Sequence, residues 1–216
     1  ADRFELGQDP MDSLTGQGGL MFSRAPAGGQ TETAAFKRWF AGSRVVDADG
    51  KPLLVYHGTG RDFSIFDAAA QSSHIPLPGF YFSPDPDIAS GFAESAAKLD
   101  ENRAGRAFMP IGANVVPAYL SLQNPAEIDA SKTAHGGRMP SESVIEELLI
   151  GARKAGHDGA IIRGWSDGSG PVQYVAFRPE QIKSATGNSG AFDPANADIR
   201  FSFAGARAAT ADKHAL

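Results

Sequence analysis

Three short clusters in this sequence combine residue types that can do chemistry on a ligand. The first is His57-Gly58-Thr59, directly after the strand-like run Leu53-Leu54-Val55-Tyr56. A histidine at a strand end, followed by glycine, places an imidazole beside exposed backbone N–H and C=O groups. Such a site can hydrogen-bond a ribose hydroxyl and a carboxamide together. A strand-end histidine in an ordinary turn leaves the same tripeptide. The second cluster is Gly79-Phe80-Tyr81-Phe82, with Phe92 eleven residues beyond Tyr81. If a strand leads into a helix here, two rings can face each other across a slot that a planar heterocycle fills by stacking. Two core aromatics would read the same way. The third is Gln173-Tyr174-Val175-Ala176-Phe177, with Gln181-Ile182 after it. Alternation along a strand gives Gln173 the same face as Val175 and Phe177. Residue 173 stands at the strand's start, where side chains reach a cleft.

The surrounding pattern supplies elements that can hold these clusters. Ala34, Phe36, Trp39 and Phe40 predict a short helix with an aromatic face, capped by Thr31 or Thr33 and ended by Gly42. Val45-Val46 and residues 53–56 read as strands around the turn Asp47-Ala48-Asp49-Gly50, and Phe63, Ile65 and Phe66 as a short edge strand. Residues 85–98 read as a helix with Ile88, Phe92, Ala96 and Leu99 on one face. Residues 115–122 predict a strand stopped by Asn124-Pro125, and residues 128–140 an exposed loop. A helix over residues 141–155 begins with a Ser143–Glu146 capping box and turns Val144, Leu148, Leu149 and Ala152 inward. Ala160-Ile161-Ile162 and residues 172–177 complete the strands. Short strands that do not alternate as βαβ units predict an α+β fold with a largely antiparallel sheet.

Composition narrows the chemistry. The 216 residues are 42% hydrophobic, enough for a real core, and the net charge of -5 disfavours a broadly basic nucleic-acid binder. The absence of cysteine removes thiolate nucleophiles, disulfides and thiolate metal centres. His74, His135, His157 and His214 make no metal-ligand spacing, so no metal site is expected. No apolar run approaches the roughly 20 residues of a membrane span, and the N-terminus lacks a secretory pattern. Residues 1–32 read as a flexible tail in which Leu20-Met21-Phe22 could dock, residues 33–190 as the domain, and residues 191–216 as a linker or the start of a further segment.

Taken in order, the three clusters resemble the ADP-ribosyltransferase superfamily, in its His-Tyr-Glu branch with diphtheria-toxin-like and poly-ADP-ribose-polymerase-like members. The likeness covers roughly residues 36–188. Val55-Tyr56-His57-Gly58-Thr59, residues 179–184 and Phe192-Asp193-Pro194 are also similar to the ADP-ribosyltransferase-like domains of phage and mobile-element polyvalent proteins. Those domains are modules in long polypeptides, which would explain ends that look cut. The resemblance implies a split β-sandwich with a few flanking helices that cradles NAD+ as co-substrate. It implies that His57 hydrogen-bonds a ribose, that Gly58 holds the carboxamide, and that Thr59 and Ala89 also border the cofactor. Tyr81 and Phe92 would sandwich the nicotinamide. The implied activity is mono-ADP-ribosyl transfer to a host macromolecule, a protein before a nucleic acid, in a cytoplasm and without a membrane.

The resemblance breaks at one residue. The family's catalytic glutamate aligns with Gln173, which can hydrogen-bond a ribose hydroxyl but brings no charge to an oxocarbenium-like state. Asp167 in the preceding loop could substitute, whereas Glu180 matches a structural position in the following turn. A weak transferase, a catalytically dead NAD+- or ADP-ribose-binding module and an NAD+ glycohydrolase all remain open. Arg61 and Arg163 could meet the phosphates or be solvated loop charges. Trp165, Asp167 and Ser169 could form an acceptor-recognition loop.

Overall fold

The computed structural model describes residues 29–67, 78–104, 113–133, 139–165, 170–188 and 192–199. The expectations on Leu20-Met21-Phe22, His74, His135, Asp167, Ser169 and His214 lie outside them. The chain runs α1 (Ala34–Phe40), β1 (Val55–Thr59), β2 (Phe80–Phe82), α2 (Pro86–Ala104), β3 (Asn114–Leu120), β4 (Pro125–Asp129), α3 (Glu142–Lys154), β5 (Gly159–Arg163), β6 (Val172–Ala176) and β7 (Ile182–Ser184). Single 3-10 turns cover Ala130–Thr133 and Pro179–Gln181. This is the α+β class read from the sequence. No described helix is long and apolar enough to cross a membrane.

Two sheets face each other. One is antiparallel in the order β1-β3-β7, the other mixed in the order β2-β6-β5-β4. Alternation turns one face of each inward. Val55, Leu120 and Ile182 of the first sheet share a buried cluster with Phe80, Phe82, Ile161 and Tyr174 of the second. Among the described residues one bridge joins the sheets, between β1 and the end of β2, in which Tyr56 and Ser83 exchange both backbone hydrogen bonds at 2.8 and 3.0 Å. The outer face of the second sheet is covered by α3, with Ile145 and Leu149 on Ile162 and Val175. A third cluster sets α1 against Tyr119, Ala185 and Phe192. As expected, Thr33 caps α1 by accepting from Phe36 N at 3.1 Å, and Gly42 follows with a positive φ of 76°.

Several local expectations are corrected. Residues 125–129 are a strand rather than a stop and a loop, and β4 pairs parallel with β5. Pro125 stands at its first position on the sheet's edge, where a missing N–H costs no ladder bond. Ala126 and Ile128 pack under α3. The path β4-α3-β5 is therefore one βαβ crossover in an otherwise antiparallel fold. The Ser143–Glu146 box is not the cap of α3. The N-cap is Ser141, whose hydroxyl meets that of Ser143 at 2.8 Å. Its buried stripe is Ile145, Leu149 and Ala152, with Val144 outside. Val46 and Ile65 form only isolated bridges.

The buried face of α2 is also shifted by one residue, to Ala89 and Ala93, leaving Phe92 48% exposed. The reason is steric. Gly58 and Gly60 on the β1 side let the helix backbone descend onto the strand. A Cβ on Gly58 would lie 1.9 Å from the carbonyl oxygen of Ala89, and one on Gly60 would lie 2.8 Å from the amide nitrogen of Ala97. Only small residues fit such a seam. Gly91, on the same helix, faces open space. Gly58→Ala is therefore expected to destabilise by about 3 kcal/mol or more. Gly91→Ala is expected to stabilise by about 0.5–1 kcal/mol. Urea unfolding of both variants against the parent chain checks the pair.

Candidate functional site

The site is built where the two sheets part. Beyond the Tyr56–Ser83 bridge, the chain leaves β2 and turns into α2, while β1 continues to Thr59. In an antiparallel strand the N–H and C=O of one residue point to the same edge, and alternate residues point to opposite edges. Tyr56 points both groups at β2, so Gly58 points both the same way, into the gap that β2 has left. Among the described residues neither group has a hydrogen-bonding partner. A donor and an acceptor thus stand side by side on an open strand edge, without a side chain to screen them.

His57 occupies the opposite face of β1, on the Val55 side. Its Nδ1 lies 2.8 Å from the carbonyl oxygen of Tyr81. A carbonyl can only accept, so Nδ1 carries the proton and donates, and the neutral ring keeps a lone pair on Nε2. The ring stands among Phe66, Phe82 and Phe63, with centroids 4.9, 5.4 and 6.2 Å away. Burial in this apolar surrounding pushes the His57 pKa below its ordinary 6.5, against the opposing effect of the Tyr81 carbonyl. Near pH 7 the imidazole is neutral.

Tyr81 and Gln173 come together across the second sheet. Tyr81 pairs with Val175, and Gln173 precedes Val175 by two residues on the same face. That makes Tyr81 and Gln173 diagonal neighbours, at the spacing where long side chains interact. Tyr81 packs beside the α3-side cluster, and Gln173 is only 4% exposed. The helix α2 forms the facing wall. Its Ile88 lies against the backbone of Gly170, where a Cβ would come within 2.5 Å of Ile88 Cδ1 and the positive φ of 84° already favours glycine. Phe92, one turn further along α2, presents a large exposed ring. Ala89 is buried beneath Gly58, where its contribution is spacing. The Thr59 hydroxyl closes a turn at the end of β1, accepting from Arg61 N at 3.2 Å and donating to Arg61 O at 3.3 Å.

Other candidates fall elsewhere. Arg163 is 3.7 Å from Glu127 on the β4 side of the second sheet, two strands from β2. Trp165 is buried, and its Nε1 donates to the Pro140 carbonyl at 3.1 Å. His157 donates from Nδ1 to the Asn124 carbonyl at 3.0 Å. Glu180 sits in the 3-10 turn after β6, as its motif position implied. Among the described residues no three His, Asp or Glu side chains are placed to hold a metal. Sequence reading missed Phe66, Ser83, Gly60 and Ile88 as parts of the site. The spacing Gly58-x-Gly60 against Ala89, Ala93 and Ala97 was the one signal available.

A family model described as ADP-ribosyltransferase in polyvalent proteins matches residues 47–192, more than half of the chain. The matched stretch contains His57, Tyr81, Phe92 and Gln173. No curated protein matches the chain.

The lowered His57 pKa has a consequence for stability. The unfolded chain takes up a proton near pH 6.5 while the folded chain does not, so stability falls as pH drops below that value. The slope from one proton is at most about 1.4 kcal/mol per pH unit, and it ends once the folded histidine also titrates. His57→Asn keeps an N–H for the Tyr81 carbonyl and removes the titration. Denaturant unfolding between pH 5 and 7.5 is expected to show a shallower acid loss in that variant.

Proposed function

The chain belongs to the ADP-ribosyltransferases of polyvalent proteins, and from that premise we propose that it is an NAD+-dependent mono-ADP-ribosyltransferase. The observation that carries this reading is the open β1 edge at Gly58 beside a neutral His57. A carboxamide has one N–H donor group and one carbonyl acceptor, the complement of the Gly58 pair. The His57 Nε2 lone pair can accept from a ribose hydroxyl, and its Nδ1 bond to Tyr81 O fixes the ring for that task. Tyr81 and the exposed Phe92 supply faces for the nicotinamide ring. A setting of ring faces, amides and hydroxyls suits a ligand with an aromatic amide and a sugar.

The reaction breaks the bond between the nicotinamide nitrogen and the ribose. Nicotinamide leaves with the bonding electron pair, and an acceptor nucleophile forms the new bond to the ribose carbon. The acceptor is a host macromolecule, and the parent polypeptide is of phage or mobile-element origin. Gln173 hydrogen-bonds the ribose hydroxyl and orients it. Without a carboxylate at this position the positive ribose is less stabilised, and turnover is slow. The same feature favours a second reading, a module that binds NAD+ or ADP-ribose without chemistry.

Nicotinamide release from NAD+, and transfer of labelled ADP-ribose to lysate components, test both readings. Turnover is expected to be low in the parent chain and to rise about tenfold or more in Gln173→Glu. Tyr81→Ala is expected to abolish it. Calorimetric NAD+ binding with no release in either form would establish the binding module. Free ADP-ribose without labelled macromolecules would make the activity a glycohydrolase, and no NAD+ binding would end both readings.

A further inference from the structure

The segment over residues 192–199 reaches the ligand site through a connected set of contacts. It folds on itself through the Asp193 and Asn196 side chains, which accept from Ala195 N and Asp198 N at 2.9 Å each. Lys183 on β7 is 1% exposed, and its Nζ donates to the carbonyls of Asn196 and Asp198. A buried ammonium without such acceptors would be expelled or neutralised. Ile199 is then fixed on three sides. Its carbonyl accepts from Ser184 N at 3.0 Å and Asn188 Nδ2 at 3.2 Å, and its N–H donates to Ser64 O at 2.8 Å. Asp198 bridges Ile65. Residues 64 and 65 lie between Phe63 and Phe66, which wall the His57 ring, and Ile199 shares the buried cluster of Phe66 and Phe82.

We propose that residues 192–199, seated by Lys183, act as a strap that positions His57 by holding the Phe63 and Phe66 wall in place, so that Lys183 and Ile199 are positioning residues of the ligand site. The family match ends at residue 192, where the strap begins. Without the strap, residues 63–66 lose their pairing partner, and the ring that must present Nε2 loses two of its three aromatic neighbours. The effect on NAD+ rests on the proposed transferase reading; the effect on the ring does not.

The test uses Lys183→Met in the full chain, with Ile199→Ala as a milder second variant should the first fail to fold. The His57 ring nitrogens are followed by nitrogen-15 NMR through a pH titration without ligand. In a folded variant the His57 pKa is expected to move up toward 6.5 and the Nδ1–H tautomer to lose its dominance. With NAD+ as substrate, KM is expected to rise about tenfold while kcat changes little. A folded variant with the parent's His57 titration and tautomer overturns the strap. A chain that never turns over NAD+, yet whose His57 signature shifts in either variant, supports the strap and counts against the transferase reading alone.

Discussion

The hydrogen bond from His57 Nδ1 to the Tyr81 carbonyl, next to the Tyr56–Ser83 bridge, is the constraint on which the arrangement depends. It is where two sheets with separate strand orders become one sandwich. Tyr56 satisfies its backbone against Ser83, and two residues later Gly58 has no strand to meet on that edge, β3 lying on the other. The opening follows from β2 being only three residues long and giving way to α2. A longer β2 would zip onto β1 and close the edge. The same bond sets the tautomer of His57, so one carbonyl fixes both the junction and the chemistry of the ring beside it.

Close packing governs the rest of the site. Gly58 and Gly60 bring α2 so near to β1 that the helix can offer only alanines, and Phe92 is left on the rim. A half-exposed phenylalanine there offers a ring face on which a planar ligand can stack. Gly170 does the equivalent on the β6 side, where its missing side chain admits Ile88. The walls are thus placed by glycines that do not themselves react. Buried Lys183 performs a similar service at longer range. Burial pulls its pKa down, while Asp193, Asp198 and Glu180 work in the other direction, and the carbonyls of residues 196 and 198 accept its hydrogen bonds. It exchanges solvation for the order of the segment over residues 192–199.

The sequence by itself determined the fold class, the cap on α1, the strands β5 and β6, and the three clusters that lead to the family, because these depend on short-range pattern and residue type. The alternation at residues 172–177 was enough to put Gln173 on the Val175 face. It could not reveal β4, whose five residues have weak strand character and become a strand only through pairing with β5 and cover from α3. It misjudged α2, since periodicity weighs hydrophobicity and so chose the stripe containing Phe92, whereas the glycines of a distant strand chose the alanines. Only the tertiary structure decided that Gly58 faces an open edge and that His57 is neutral with its proton on Nδ1. Both follow from where β2 and Tyr81 stop in space, 24 residues away along the chain. Pairing between distant strands carries no periodic signal in either strand alone.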